Sequence, residues 1–224
     1  MLQDYHVKPI DKKIAIDIVI QNHYLHRKPP CSISLGLFHN EDIVGVITYG
    51  VPPSHTLLKG ICGEDESQNV YELNRLWVSD SVPKNGESFF ISQSFKFLDK
   101  EIIVSFADTS QNHVGIVYQA TNWIYTGMSA KFKDPKVRGL EHMHHATYAN
   151  RMTNKELIDK FGEDNVYFVD RPRKHRYIYF NANKRKRKEL MKKLKYKQLD
   201  YPKIEKQGRM LPPVELGFLP RQSI

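Results

Sequence analysis

The most informative part of the chain reads VYELNRLWVSDSVPKNGESFF and spans residues 70–90. Its first half alternates between two sets of side chains, which predicts a strand over 70–80 whose two faces differ. A turn containing Pro, Asn and Gly follows, and we predict a helix from Gly86 to Lys100. A strand that enters a glycine-containing turn at the start of a helix offers backbone N–H groups and the helix dipole to a phosphate.

On both sides of this stretch the chain alternates short strands and helices, with no internal repeat. The other predicted elements are a strand at 5–10, a helix at 12–24, a hairpin of strands 32–39 and 42–49, a loop at 50–69, a strand at 101–108, a helix at 114–123 and a strand at 124–132. This order predicts an α+β fold with a mixed, mostly antiparallel sheet flanked by helices.

Beyond residue 133 the pattern is less regular. We predict a helix at 154–161 capped by Thr153, a strand at 166–170, a basic strand within 171–182 and a basic helix at 184–196. The expected organisation is a catalytic domain over 1–182, in which 133–165 form an insertion, and a basic helix with a proline-containing tail over 183–224.

The charge of the 224-residue chain is concentrated in one segment. The chain holds 34 Lys and Arg against 25 Asp and Glu, a net charge of +9. Residues 171–206 contain 15 of these basic and 3 of these acidic residues, so the remainder is close to neutral. Such a segment is typical of a protein that binds a polyanion, and a helix that only aids solubility is the alternative.

Several functional classes lack their signatures. Two cysteines without a CxxC pair exclude a disulfide framework and a zinc ribbon. We find no secretory leader and no apolar stretch of membrane-spanning length, so we expect a reducing cytoplasm. Phosphate-loop, dinucleotide-binding, zinc-protease and serine-hydrolase motifs are missing. GVPPS at 50–54 is a near-miss to the [DN]PP[YF] element of amino-methyltransferases, because Val51 and Ser54 replace its amine-binding and stacking residues.

Residues 72–123 resemble the core of the GNAT N-acetyltransferase superfamily. The strand of that fold reads L-x-R-L-x-V, and its Q/R-x-x-G-x-G/A loop holds coenzyme A; here Pro83 takes the first loop position, and Lys84 offers a replacement charge. The resemblance implies GNAT-like structure over roughly 1–135 and 166–182, with the strand 70–78 splayed from the strand 101–107 near the loop. The implied residues for acetyl-CoA or a related acyl donor are Leu76, Trp77, Val78, Lys84, Asn85, Gly86, Glu87 and Ser88.

The second half of the match is Gly115-x-x-Tyr118. It resembles the family helix whose tyrosine lies beside the thioester sulfur. The resemblance implies that Tyr118 protonates a leaving thiolate, which is general-acid chemistry that a phenol performs.

At finer grain the chain is similar to the Mom-like proteins of bacteriophages, which modify adenine in phage DNA and so block host restriction enzymes. The similarity rests on four sequence segments, which are YELNRLWV (71–78), PKNGESFFI (83–91), SFADTSQNHVGIVYQATNWIYTG (105–127) and PRKHRYIYF (172–180). The resemblance implies that an adenine N6 amine in double-stranded DNA receives a carbamoylmethyl group, in the host cytoplasm. Residues expected to hold DNA are Arg173, Lys174, Arg176, Tyr177, Lys184, Arg185, Lys186, Arg187 and Lys188.

An enzyme that acts on N6 must receive adenine flipped out of the duplex or locally unpaired, in a pocket with an aromatic surface and polar groups. Glu72 and Asn74 are predicted to share one face of their strand, opposite to Arg75, and a carboxylate there would accept the amine proton. The expected pocket residues at the mouth of the sheet are Tyr49, Ser54, Asp108, Ser110, Gln111, Asn112 and Tyr177.

The donor stays open at this point. A coenzyme A thioester, an aminoacylated carrier and a metal-dependent route are all compatible with the sequence, and iron is one option for the metal. His142, His144 and His145 form the densest histidine cluster. Two further functions remain: an ordinary acetyl-CoA-dependent N-acetyltransferase of a protein or small amine, and an inactive DNA-binding protein with the same fold. The sequence makes no prediction of oligomeric state.

Overall fold

A computed structural model describes residues 2–143, 145–149 and 152–203. Seven strands form one sheet in the order β1-β2-β3-β4-β5-β9-β6, and β7 pairs with β8 in a separate ribbon. The strands are β1 (Tyr5–Pro9), β2 (Ile33–His39), β3 (Asp42–Gly50), β4 (Val70–Val78), β5 (Ile102–Asp108), β6 (Ile124–Met128), β7 (Lys133–Val137), β8 (Val166–Asp170) and β9 (Lys174–Phe180).

Helices cover both faces of the seven-stranded sheet. They are α1 (Lys12–Asn22), α2 (His55–Cys62), α3 (Gly86–Ser94), α4 (Ile116–Ala120) and α7 (Lys184–Lys193). Two more helices, α5 (His145–Tyr148) and α6 (Asn154–Phe161), lie against β7 and β8 instead. Helices α3 and α4 pack on one face, where Phe90 and Tyr118 join the main cluster of buried side chains. On the other face α1 packs through Ala15 and Val19, and α2 and α7 contribute Ile61 and Leu190 to a further cluster.

The sheet opens between β4 and β5. All neighbouring strands of the large sheet are antiparallel except this pair, which is parallel. The pairing runs from Val70 opposite Ile102 to Leu73 opposite Ser105 and then ends, although both strands continue. The prediction of a mixed, mostly antiparallel sheet with a splay at this position is therefore confirmed.

Several predicted boundaries are wrong. The expected loop 50–69 contains α2, which Ser54 caps by accepting the amide N–H of Leu57. The helix predicted to reach Lys100 leaves α-geometry after Ser94. The helix predicted at 114–123 is the short α4, because Gly115 precedes it with a φ of 77° and lies against Tyr177 with no space for a Cβ.

The segment 133–170 forms a small lobe with its own core. Strand β7, which the sequence did not predict, pairs with β8, and α6 packs Leu157 against Val137. Helix α6 begins as predicted at Thr153, whose side chain and that of Glu156 form a capping box.

Glu66, which lies between α2 and β4, anchors the basic helix α7. Its carboxylate accepts from the ammonium groups of Lys186 at 3.0 Å and Lys193 at 2.7 Å. Leu190 is completely buried beneath the same helix. Polar and apolar contacts therefore hold α7 on the sheet.

The chain after α7 returns to β6 and α4. The amide of Leu199 donates to the carbonyl of Tyr125, and the hydroxyl of Tyr201 donates to the carbonyl of Trp123. The predicted tail from Pro202 lies, from residue 204 onward, outside the described residues. No helix in the described part of the chain is long and apolar enough to span a bilayer.

Candidate active site

A cleft of about 530 Å³ occupies the opening between β4 and β5. Its walls come from the unpaired half of β4, the end of α1, the start of α3 and the loop that leads into α4. The lining residues are Asn22–Tyr24, Leu73–Val78, Glu87, Phe106, Ala107 and Asn112–Tyr118.

The cleft passes through the sheet and reaches both of its faces. Leu76 and Val78 of β4 belong to the face that packs against α3 and α4. Trp77 points to the α1 face, where it packs with Ala15 and Val19. Two ligands can therefore approach a common point from opposite faces.

A β-bulge at Asn74 changes the predicted alternation of β4. Thr48 pairs with Arg75 and Tyr49 pairs with Leu73, so Asn74 is the extra residue. Arg75 consequently shares the α1 face with Trp77, and the prediction that it faces away from Glu72 is wrong. The side chain of Asn74 accepts from Thr48 Oγ1 and donates to the carbonyl of Pro30, both at 2.6 Å. Asn74 therefore shapes the bulge and holds the loop above it.

Glu72 is a carboxylate without a hydrogen-bond donor among the described residues. Burial raises its pKa, and the charges of Arg75 and Lys174 only partly oppose this effect. Glu72 itself does not line the cleft but directly precedes Leu73, the first lining residue of β4. A carboxylate with a raised pKa next to a cleft is a typical general base.

Arg75 lines the cleft beside this carboxylate. Its guanidinium donates to the carbonyl of Asn74 at 2.6 Å and to that of Arg27 at 3.4 Å. Its Nε–H is buried without a partner in the described part of the chain.

Tyr118 reaches the cleft from α4. Its hydroxyl lies 2.8 Å from Ser105 Oγ, and the same Oγ lies 2.7 Å from the carbonyl of Leu73, the last residue of β4 to pair with β5. If Ser105 gives its single proton to that carbonyl, the phenol donates to Ser105. Burial raises the pKa of Tyr118 to about 12, so the phenol carries its proton at neutral pH.

His23, Tyr24 and His113 form an aromatic edge of the cleft that the sequence analysis missed. The His23 and Tyr24 rings stack at 4.3 Å, and the His113 ring meets Tyr24 edge-on at 6.1 Å. Burial, reinforced by the charge of Arg75, lowers the pKa of His23 to about 4. Their only sequence signal was the pair His-Tyr at the end of the predicted helix 12–24, far along the chain from His113.

Asp108 lies at the end of β5 and is held by several donors. Lys174 Nζ is 2.9 Å from its carboxylate, and Ser110 donates both its amide N–H and its hydroxyl. Burial alone would raise the pKa of Asp108, but these hydrogen bonds outweigh burial and lower it. The three predicted residues Asp108, Ser110 and Lys174 thus form one charged cluster next to the cleft.

Two tyrosines predicted to offer an exposed aromatic surface are completely buried. The hydroxyl of Tyr49 is hydrogen-bonded to Ser94 beneath α3. The hydroxyl of Tyr177 donates to the carbonyl of Val114, behind the loop that leads into α4. Both positions face the main core because of strand alternation, so neither ring can meet a base.

Only some of the residues predicted to bind the acyl donor line the cleft. Leu76, Trp77, Val78 and Glu87 line it. Asn85 precedes α3 with a φ of 72°, and its carbonyl accepts from the Ser88 hydroxyl. Gly86 is buried against Val82, where a Cβ would clash, and Lys84 is exposed.

Most cations in and around β9 and α7 that were predicted to hold DNA make internal contacts. Arg173 donates to the carbonyls of Ser129 and Met128, and Arg176 donates to Thr126 and stacks 3.4 Å above the ring of Tyr196. In α7, Lys186 pairs with Glu66 and Arg187 lies over Tyr179. Lys184, Arg185 and Lys188 are exposed.

The histidine cluster at 142–145 lies partly outside the described residues, since they include neither His144 nor the side chain of His145. Within the part that is described, no group of three His, Cys, Asp or Glu side chains is arranged to hold a metal ion.

The strand order and the split between β4 and β5 are those of a GNAT-like fold. The chain belongs to the Mom protein family, whose family model matches residues 4–203. It is 32% identical over 215 residues to the methylcarbamoylase mom of Escherichia phage Mu, covering 90% of this chain and 85% of that protein.

Solved structures with a similar fold include a GNAT-family acetyltransferase from Bacillus cereus. It has 15% identity, a TM-score of 0.42 and coverage of 80% of this chain and 99% of its own. Arabidopsis thaliana NAA60 in complex with acetyl-CoA has 11% identity, a TM-score of 0.45 and coverage of 79% and 99%.

Proposed function

We propose that this protein is a phage DNA-modification transferase that attaches a carbamoylmethyl-type group to the N6 amine of adenine. The observation that carries the proposal is the cleft through the split sheet, in a chain of the Mom family. Group transfer needs two ligands whose reacting atoms meet. A cleft open on both faces allows this when the donor enters beside α3 and the base enters beside the end of α1.

The base side carries suitable groups for an extruded adenine. The Tyr24 ring is partly exposed at the cleft edge, and the His23 imidazole is neutral at pH 7. An aromatic ring at this position stacks on a flipped base, and neutral nitrogens and the Arg75 guanidinium read its polar edge. Double-stranded DNA in the host cytoplasm is the proposed substrate.

Two groups move protons in this proposal. Glu72 accepts the proton from N6 as the new bond forms, because its raised pKa makes it a better base than an ordinary carboxylate. Tyr118, which reaches the cleft from α4, gives its proton to the departing atom. The charge of Glu72 contributes to the raised pKa of Tyr118. After each cycle Glu72 loses the proton that it accepted and Tyr118 regains one, which restores both groups.

The donor side of the cleft suits the apolar arm of an acyl-coenzyme A better than it suits the diphosphate. Leu76 and Val78 would hold its apolar arm, and the first amides of α3 would hold its diphosphate. Coenzyme A would supply a thioester, which activates a carbonyl carbon for transfer with loss of the thiol. Simple acyl transfer would give an N6 amide, so the N6–methylene bond of a carbamoylmethyl group needs a rearrangement of the acyl product or a donor of another chemical class. Glu87, however, places a carboxylate on the cleft wall in the first turn of α3, so we propose weak binding of acyl-coenzyme A.

Nucleoside mass spectrometry of digested DNA from cells that express the protein tests the function. We expect a new adenine species with the mass of a carbamoylmethyl adduct. Unmodified DNA with an acetylated protein or amine would instead establish an ordinary N-acetyltransferase. Unmodified DNA despite tight DNA binding would establish an inactive DNA-binding protein.

A further inference from the structure

The β7–β8 ribbon exposes a face on which aromatic and cationic side chains interleave. Val137 and Val166 point inward to the core of the lobe, where Leu157 of α6 meets them. Alternation places the opposite side chains outward, with Lys136 directly across from Tyr167. Arg138 lies 5.6 Å from the Tyr167 ring centroid on this face.

The base of the ribbon continues the same pattern. Phe132 is 58% exposed, and the Arg171 guanidinium lies 5.6 Å from its ring centroid. Arg171 also pairs with Asp134. Residues 131–138 and 166–171 together hold five basic and two acidic side chains, so the ribbon keeps a positive charge after this ion pair.

The ribbon lies next to the cleft in the topology of the sheet. Only residues 171–173 separate β8 from Lys174, whose ammonium group contacts Asp108 at the cleft end of β5. Three residues span at most about 10 Å, which places the base of the ribbon, with Phe132 and Arg171, near the cleft. Lys136 and Arg138 lie about 10 Å farther out along the ribbon. By contrast, Lys184–Lys188 follow the far end of β9, about 20 Å from Lys174 along that strand.

From these observations we propose that the outer face of the β7–β8 ribbon lies in a groove of duplex DNA beside the adenine presented to the cleft. This inference rests on the function proposed above and adds the surface that positions the substrate. A two-stranded ribbon fits the B-DNA major groove, which is about 12 Å wide. Lys136 and Arg138 contact phosphates, and Phe132 lies against the step from which the base leaves the stack.

The test measures binding of the full-length protein to a fluorescent 30-base-pair duplex by anisotropy between about 0.05 and 0.2 M salt. The double variant Lys136→Gln with Arg138→Gln should flatten the slope of log affinity against log salt by about 1.8 and weaken binding at 0.1 M salt by about 60-fold. The matched control is Lys155→Gln with Lys160→Gln, which removes the same charge from the exposed side of α6 in the same lobe. The control should keep the wild-type slope within about 0.5.

Photocrosslinking supplies an independent measurement. A chain with p-benzoylphenylalanine in place of Phe132 should crosslink to the duplex, and one with this group in place of the exposed Phe97, which precedes β5 at the end opposite to Asp108, should not. An unchanged salt slope in the ribbon variant, an equal loss in the control, or the absence of a crosslink at 132 overturns the ribbon assignment. If wild-type DNA is modified in cells while the ribbon variant binds normally, only the ribbon inference fails. If wild-type protein neither binds nor modifies DNA, the proposed function fails with it.

Discussion

Replacing Tyr118 by Phe separates the chemical role of the phenol from its structural role. The substitution removes one hydroxyl and leaves a ring that still packs 5.1 Å from Trp123 and 5.2 Å from Tyr177. Ser105 keeps its hydrogen bond to the carbonyl of Leu73. The expected cost in unfolding free energy is therefore one net hydrogen bond, about 1 kcal/mol.

The effect on modification should be much larger. A positioned general acid contributes about 10²- to 10⁴-fold to the rate. Loss of the Tyr118 proton should lower the initial rate at which modified adenine accumulates by this factor, as measured by mass spectrometry of DNA sampled after induction. DNA affinity should change less than about threefold, because Tyr118 is 8% exposed and makes no ion pair.

Tyr125→Phe is the matched control. Tyr125 is buried in the same aromatic cluster, and its hydroxyl is hydrogen-bonded to His175 at 2.8 Å, but it does not line the cleft. It should lose a similar amount of stability and keep near-wild-type modification. Equal losses of modification in the two variants would mean that Tyr118 supports the fold and donates no proton.

Glu72→Gln should reduce modification at least about 100-fold. In an extract that supplies the donor, the wild-type rate should rise as the pH increases through the raised pKa of Glu72. If the rate of the variant rises over the same pH range, Glu72 is not the base. Glu87→Gln should tighten acetyl-CoA binding about fivefold in calorimetry, since it removes about 1 kcal/mol of repulsion; unchanged or absent binding in both proteins would exclude this donor site. Hydrogen bonds from Lys193, with smaller help from Asn69 and Lys186, outweigh burial and lower the pKa of Glu66 from 4.5 to about 2. Glu66 thus stabilises the fold fully above pH 4.5 and loses this effect as the pH falls toward 2, so Glu66→Gln should cost about 2–3 kcal/mol at pH 7 but little at pH 2 in denaturant titrations; a pH-independent difference would contradict this. Changing the exposed α7 cations Lys184, Arg185 and Lys188 to Gln should flatten the slope of log DNA affinity against log salt, equally for all DNA sequences. The flattening should be at most about 0.9 for each phosphate that these side chains no longer neutralise. An unchanged slope would mean that they only aid solubility.

Most strands of the large sheet could be predicted as elements because periodicity and turn residues act locally, but their order within the sheet was not predicted. The hairpin of β2 and β3, the strand β4 and the glycine turn before α3 all carry such signals. The position of Tyr118 beside the cleft was expected from the resemblance of Gly115-x-x-Tyr118 to a GNAT helix.

What could not be predicted depends on contacts between distant segments. The bulge at Asn74 is visible only in the pairing of β4 with β3, and it decides that Arg75 lies on the face of Glu72. Tyr24 and His113 meet only because α1 ends where the sheet opens. Tyr49 and Tyr177 were misplaced because a tyrosine in a strand reads the same whether its face is buried or exposed.

One of the two tryptophans of this chain lies in the cleft and the other in the core, so intrinsic tryptophan fluorescence can report on the cleft. Trp77 lies in the cleft wall, whereas Trp123 is sealed inside, with its indole N–H free of partners among the described residues. Indole emission depends on the polarity around the ring, so a ligand that enters from either face alters the light from Trp77 and leaves that from Trp123 unchanged. A Trp123→Phe protein would therefore report cleft occupancy directly, without a label and without knowledge of the donor.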